Sequence, residues 1–201
     1  MEFPLFGQTV AVDLVNTLWA QGGRIVDALD SVGGANRWLV AVADNRLSDG
    51  TTLQEAAGAV AVRLRDEPFR AALAELRDQA RDVLIAGANA RRPTARSLDA
   101  VNRSAAAAPS RLQARVDAQG GWSLQRLRQP PLSIAVLAAL AEDVLATAAL
   151  GTGLIECTTP NCLGVFVQDD PRRHYCSPAC ANRARVARHY ARTHGGADPA
   201  S

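Results

Sequence analysis

The chain has 201 residues, of which 48% are hydrophobic, and this is enough apolar material for one packed domain with a small additional module. A disordered or fibrous protein is excluded. Residues 1–170 carry 16 arginines and 19 acidic residues, a net charge of −3, whereas residues 171–201 carry six arginines and one aspartate, a net charge of +5. An acidic body with a basic end is typical of a nucleic-acid-binding protein, although a solvated tail would carry the same charge.

The apolar segments of the chain predict neither a secreted nor a membrane protein. Residues 1–20 have no basic leader, and polar residues interrupt their apolar positions, unlike a secretory signal. The longest apolar stretch, residues 132–150, carries Glu142 and Asp143 near its middle, which makes it a poor candidate to span a bilayer. We therefore expect a cytoplasmic protein that is not bound to a membrane.

Apolar residues at helical spacing predict a mainly helical body. The predicted helices cover residues 38–43, 53–65, 69–86, 97–107 and 132–150. Glycine pairs at 22–23 and 33–34 predict breaks before the first of these helices. Pro68 suits the first turn of the third helix, Gly87 is expected to end it, and Gly151 is expected to end the last one.

A β-hairpin is predicted between the fourth and fifth helices. Apolar residues alternate with polar ones over residues 112–116, and residues 122–127 are also rich in apolar positions. Gly120 and Gly121 lie between the two segments and supply the conformational freedom that a turn requires. The body is therefore expected to combine helices with one small hairpin.

All four cysteines of the chain lie in two pairs, Cys157 with Cys162 and Cys176 with Cys180, and 13 residues separate the pairs. Two pairs in one short window favour four thiolate ligands around one zinc ion, and four protein ligands make the ion structural. A cytoplasmic location argues against two disulfides. An iron–sulfur cluster could use the same four thiolates, but the two-pair arrangement favours zinc.

The residues around the cysteines predict the local structure of this module. Asn161 and Gly164 suit a tight turn whose amides point at the sulfurs of the first pair, and residues 165–167 suit a short strand. Ser177 as N-cap and Pro178 as first helical residue predict a helix that runs to about residue 194. The second cysteine pair would then lie at the start of a basic helix.

The segment CTTPNCLGVFVQDDPRRHYCSPACANRARVARHYAR, residues 157–192, resembles the CGNR zinc finger. In that bacterial module the second of two cysteine pairs leads into an asparagine–arginine helix. Cys180, Asn182 and Arg183 match the motif that gives the family its name, and Ala181 stands where the motif has glycine. The resemblance supports the metal site reached from the cysteine spacing.

The front half resembles the ABATE domain, which is usually found together with that finger. The resemblance rests on AVDLVNT at residues 11–17 and VDALDSVGGANRWL at residues 26–39. We therefore expect an α+β fold that is mainly α, with a helical domain at residues 1–151 and a treble-clef-like zinc finger at residues 152–201. Proteins with this pair of domains are regarded as stress-related transcription regulators, so the resemblance implies that role.

The arginines near the second cysteine pair are candidates for phosphate contacts. The candidate nucleic-acid-binding residues are Arg172, Arg173, Arg185, Arg188 and Arg192. With an advance of about 100° per residue, the last three fall on the side of the helix opposite Arg183. Arg183 is therefore expected to face inward and to stabilise the finger by hydrogen bonds to backbone carbonyls, while Asn182 is expected to cap or bridge the cysteine turn.

A compact polar set near the start of the chain is the first place to look for a small-molecule effector. It consists of Asp13, Asn16 and Thr17, for which capping and turn hydrogen bonds are the competing role. No catalytic set with histidine or cysteine can be assembled in the front domain, because every cysteine lies in the finger and every histidine follows residue 173. The chain is therefore not expected to be an enzyme.

The sequence as a whole predicts a regulator that binds DNA through the finger and senses a ligand or stress through the front domain. One small module buries little surface on DNA, so a homodimer formed through the front domain is expected. The alternative is a zinc-stabilised module that binds protein or RNA and has no DNA specificity.

Overall fold

In the computed structural model, the described residues are 9–45, 47, 53–128, 131–151 and 153–194. Within these ranges the helices are α1 (Val10–Val15), α2 (Val32–Val42), α3 (Gln54–Arg63), α4 (Glu67–Ala88), α5 (Ala95–Ala106), α6 (Leu132–Leu150) and α7 (Pro178–His194). The strands are β1 (Leu18–Gln21), β2 (Arg24–Asp27), β3 (Ser110–Val116), β4 (Trp122–Arg128), β5 (Leu154–Glu156) and β6 (Val165–Val167), paired in order as three antiparallel hairpins. The predicted α+β fold, mainly α, is confirmed.

The long helices end close to where their flanking residues predict. α6 follows Pro131 and ends at Gly151, whose φ of 58° is the left-handed conformation that favours glycine. α4 has Pro68 in its first turn but continues through Gly87 to Ala88, so the expectation that Gly87 ends the helix is wrong. A Cβ atom at Gly87 would lie 2.9 Å from the carbonyl oxygen of Ala148, which shows that this glycine lets α4 and α6 approach closely.

The two early glycine pairs have different roles. Gly22 and Gly23 form the turn between β1 and β2, with φ values of 58° and 77°, as the predicted break requires. Gly33 and Gly34 instead lie in the first turn of α2, so the second predicted break is wrong. A Cβ atom at Gly34 would lie 2.2 Å from the carbonyl oxygen of Ala28, and the absence of a side chain therefore allows α2 to pack on the preceding backbone.

The core of the body forms around α1 and α6. Every residue of α1 is buried, and α6 contacts α1, α3, α4 and α5. By length and composition alone α6 could cross a membrane. Its packing against these helices gives its apolar residues a place in the core, and the carboxylate of its buried Asp143 accepts a hydrogen bond from the backbone N–H of Ala11 at 2.8 Å.

The β5–β6 hairpin also contributes to the core of the body. Leu154 and Val165 are buried in the same apolar cluster as α1, α4 and α6. β5 contacts α4, and β6 contacts α1. The packed core therefore continues past residue 151, the last residue of the predicted helical domain.

The β3–β4 hairpin exposes an apolar face. Val116 pairs with Trp122 across the ladder, and alternate residues of a strand share a face, so Leu112 lies on the same face as both. Leu112, Val116 and Trp122 are 61%, 53% and 79% exposed. This face is uncovered by the described residues of the chain.

Candidate metal centre

The four cysteines converge at one point, with their sulfur atoms all within 4.8 Å of one another. Cys162 Sγ lies 3.7 Å from Cys176 Sγ and 3.6 Å from Cys180 Sγ, and the latter two are 3.4 Å apart. None of the four forms a disulfide. This geometry allows all four sulfurs to contact a single metal ion.

The first cysteine pair is positioned by the turn between β5 and β6. Asn161 has a φ of 60°, the left-handed conformation that asparagine tolerates well. The N–H of Gly164 donates to Cys162 Sγ at 3.4 Å, and the N–H of Cys157 donates to the carbonyl of Gly164 at 2.8 Å. The predicted tight turn is therefore present, and one of its amides points at Cys162.

The second pair is positioned by the start of α7. The hydroxyl of Ser177 accepts a hydrogen bond from the N–H of Cys180 at 3.2 Å, which is the predicted N-cap. The N–H of Cys176 donates to Cys157 Sγ at 3.4 Å, and so ties the two pairs together. Thr159 donates its hydroxyl hydrogen to the carbonyl of Cys180 at 3.0 Å, a contact that the sequence alone did not indicate.

The four thiols share protons unequally. Hydrogen bonds from Cys162 and Cys176 hold the pKa of Cys157 far below its ordinary value. The hydrogen bond to Cys157 in turn raises the pKa of Cys162 to about 11 and raises the pKa of Cys176 as well. A metal ion must displace these protons, so metal affinity is expected to increase with pH.

Two arginines bring positive charge to the sulfurs. Arg183 donates from Nη2 to Cys180 Sγ at 3.1 Å, and this bond raises the pKa of Arg183. Burial lowers the pKa of Arg81 in α4. Electrostatic attraction to Glu156 and to Cys162 raises the same pKa, each by less than burial lowers it. The Nη1 atom of Arg81 is buried without a hydrogen-bond partner among the described residues. The sequence analysis missed Arg81, because nothing in the sequence links α4 to the finger.

The finger-stabilising residues differ in part from the prediction. Arg183 is exposed, and Cys180 and Ala184 are the buried positions among the α7 side chains that the structure describes, so the expected inward orientation of Arg183 is wrong. It lies about 100° around the helix from Ala184 and reaches a sulfur rather than a backbone carbonyl, because it follows Cys180 by three residues. Asn182 is exposed and accepts a 3.4 Å hydrogen bond from Arg185, which places it on the surface of α7.

The predicted phosphate-binding arginines of α7 share one exposed segment. Every residue from 185 to 190 is exposed, as is Arg192. Arg188 donates to the hydroxyl of Tyr175 at 2.8 Å, so its guanidinium is held beside the finger loop. Beyond Ala184, α7 thus leaves the metal centre with its arginines at the surface.

The two loop arginines are not equivalent. The side chain of Arg172 is exposed. Arg173 pairs with Asp169 at 3.1 Å and lies 4.6 Å over the ring of Phe166, the buried aromatic residue of the finger. Arg173 therefore has structural partners within the finger, which leaves Arg172 as the freer of the two for a phosphate contact.

The polar set proposed for an effector lies in the core. Asp13, Asn16 and Thr17 are 1%, 2% and 1% exposed. Asp13 accepts a 3.4 Å hydrogen bond from Asn45, Thr17 donates to the carbonyl of Leu14 at 2.7 Å, and Asn16 bonds the backbone of β6. The three side chains thus have structural partners, and none of them lines a described cavity.

Comparison with known proteins assigns both halves of the chain. The family model ABATE, described as "Putative stress-induced transcription regulator", matches residues 8–151, and the CGNR zinc finger matches residues 154–193. No curated protein matches the chain. Because the first match spans well over half of the 201 residues, the chain belongs to the ABATE family, and it carries a CGNR zinc finger after that domain.

Proposed function

We propose that the four cysteines hold one structural zinc ion. Zinc–sulfur bonds of about 2.3 Å place the corners of a tetrahedron about 3.8 Å apart. The sulfurs of Cys162, Cys176 and Cys180 are 3.4 to 3.7 Å apart, and all four sulfurs lie within 4.8 Å of one another. A polynuclear iron–sulfur cluster would hold its thiolates farther apart, because they bind different iron atoms. Four sulfur ligands leave no open coordination position, so the ion stabilises the fold.

We infer that the protein is a transcription regulator that binds DNA through α7. The observation that carries this proposal is the exposed arginine segment that continues from the metal centre along α7. The +5 charge of residues 171–201 and the regulatory family of the chain support it. The metal fixes the first turn of the helix, and the exposed arginines then face the phosphates.

Fluorescence anisotropy with a labelled random-sequence duplex tests this proposal. About three to five phosphate contacts predict a log–log salt slope of roughly −3 to −4.5. A chelator should abolish binding, because α7 starts at two of the metal ligands. Absence of binding at low salt, together with tight binding to RNA or to a protein partner, would support the alternative function instead.

Arg183→Ala is expected to weaken zinc binding about tenfold, the lower end of the effect of removing a partner of a metal ligand. Four thiolates and one zinc ion carry two net negative charges, and Arg183 donates directly to the Cys180 sulfur. Competition with a chromogenic chelator measures the affinity. Arg185→Ala is the matched control, because Arg185 bonds Asn182 rather than a sulfur. Equal zinc affinity of the two variants would show that the sulfur contact is unimportant.

We also propose that the protein dimerises through the apolar face of the β3–β4 hairpin. Two copies would cover the side chains of Leu112, Val116 and Trp122, and a dimer would double the arginine surface that DNA meets. Trp122→Ser is expected to shift the protein to a monomer in sedimentation equilibrium without changing its zinc content. A wild-type protein that is monomeric at high concentration would exclude this dimer.

The remaining expectations stay predictions. Ligand sensing by the body needs a cavity, and the structure has an open groove of about 580 Å³ between α4 and α6, lined by Phe69, Ile134 and Leu137 among others. This groove replaces the buried polar set as the place to look for an effector. A non-enzymatic role and a cytoplasmic location also stay predictions.

A further inference from the structure

Asn16 joins the body to the finger through two buried hydrogen bonds. Its Oδ1 accepts from the N–H of Val165 at 3.0 Å, and its Nδ2 donates to the carbonyl of Val165 at 2.8 Å. Asn16 is 2% exposed and Val165 is fully buried. One amide side chain thus bonds both backbone groups of a residue 149 positions away.

These bonds occupy the edge of β6 that faces away from β5. In an antiparallel ladder, successive residues direct their backbone groups to alternate sides. Gly164 accepts a bond from Cys157 on the β5 side, so the backbone groups of Val165 point to the other side, toward α1. Without the Asn16 side chain, the buried N–H and the buried carbonyl of Val165 would both lose these partners. Buried polar groups are costly to leave unpaired.

The position of Val165 determines the position of the first cysteine pair. Its neighbour Gly164 bonds the Cys162 sulfur and the Cys157 N–H. The Cα of Gly164 also lies against Cys176, because a Cβ atom there would be 3.0 Å from the Cys176 sulfur. A shift of β6 relative to α1 would therefore move contacts to three of the four ligands.

We propose that Asn16 is a positioning residue for the metal centre, and that it couples metal binding to the stability of the body. Thermodynamic linkage is reciprocal. The factor by which a bound metal ion stabilises the contact of β6 with α1 equals the factor by which loss of that contact lowers metal affinity. This inference rests on the proposed zinc site, but it is independent of DNA binding. It also gives AVDLVNT, the first of the two motifs that carry the resemblance of the front domain, a physical role in the finger.

Zinc affinity of the full chain, measured by chelator competition, tests the proposal. Asn16→Ala is expected to lower the affinity about 10- to 100-fold, as does removal of other partners that orient metal ligands. Thr17→Val is the matched control, because Thr17 is as deeply buried as Asn16 but its hydroxyl donates to the Leu14 carbonyl in its own turn and not to β6. Equal zinc affinity of both variants and the wild type would overturn the proposal.

Hydrogen exchange of the wild-type protein provides a test that does not depend on a variant's folding. Removal of zinc by a chelator is expected to reduce protection of α1 and β6 together, because they share the Asn16 bonds. Protection of α1 that is unchanged while β6 exchanges freely would also overturn the proposal. A wild-type chain that binds no zinc would instead refute the metal assignment itself, so the two failures are distinguishable.

Discussion

Cys176→Ser protein is expected to be purified without zinc and to have a protease-sensitive C-terminus. The Cys176 sulfur lies 3.7 Å and 3.4 Å from those of Cys162 and Cys180, so its loss removes one corner of the tetrahedron. Metal binding in such modules supplies on the order of 10 kcal/mol. Among the described residues, the apolar cluster around the cysteines contains one large buried hydrophobic side chain, Phe166. Burial of this one side chain cannot replace the free energy that metal binding supplies.

Metal content by mass spectrometry and limited proteolysis check this expectation. Cleavage should concentrate after β6, since Leu154 and Val165 pack in the core of the body. Ser177→Ala is the matched control: it removes the N-cap of α7 at a cost of about 1 kcal/mol but retains all four sulfurs. A Cys176→Ser protein with one zinc ion and an intact C-terminus would contradict the assignment.

Simultaneous replacement of Arg185, Arg188 and Arg192 by alanine is expected to abolish DNA binding at physiological salt. Each phosphate contact contributes about −0.9 to the log–log salt slope on duplex DNA, so the slope should flatten by almost three units. Zinc content should not change, because none of these arginines has a described contact with a sulfur. The loss of the bond from Arg188 to Tyr175 makes a zinc measurement on the same sample essential.

A control with the same change in net charge separates a contact surface from a general electrostatic effect. Arg24, Arg92 and Arg96 are exposed on the body, and their replacement by alanine also removes three positive charges. This control should retain the slope of the wild type. If both triple variants lose the same affinity, total charge rather than α7 determines binding.

Local sequence patterns predict the long helices and the β3–β4 hairpin well, but they do not predict α1 or the β1–β2 hairpin. Periodic apolar residues identify α4, and a long alanine-rich apolar run identifies α6. The turn glycines and Ser177 predict local geometry that the structure confirms at Gly22, Gly151 and Cys180. The pattern fails at Gly34 and Gly87, where the absence of a side chain serves close packing against another part of the chain. A sequence does not distinguish a turn glycine from a packing glycine, because both are simply glycine.

In the candidate site, too, local features can be predicted from the sequence, whereas contacts between distant segments cannot. The spacing of the cysteines predicts their convergence, because both pairs lie within one short segment. The sequence does not indicate that Arg81 interacts electrostatically with Cys162 or that Asn16 bonds Val165, since tertiary packing brings distant segments together. The expected inward orientation of Arg183 is also wrong, because the side of α7 that is buried at Cys180 and Ala184 does not include Arg183, and the residues from 185 to 190 are all exposed.

The contribution of β5 and β6 to the core has a consequence for synthesis of the chain. When the ribosome has released residues 1–151, the nascent body still lacks Leu154 and Val165, and α1 lacks its partner on β6. The apolar surface that these residues cover stays open to water until the last quarter of the polypeptide emerges. We therefore expect the body to reach its full stability only after β5 and β6 have left the ribosome, with capture of the metal as the final step of folding.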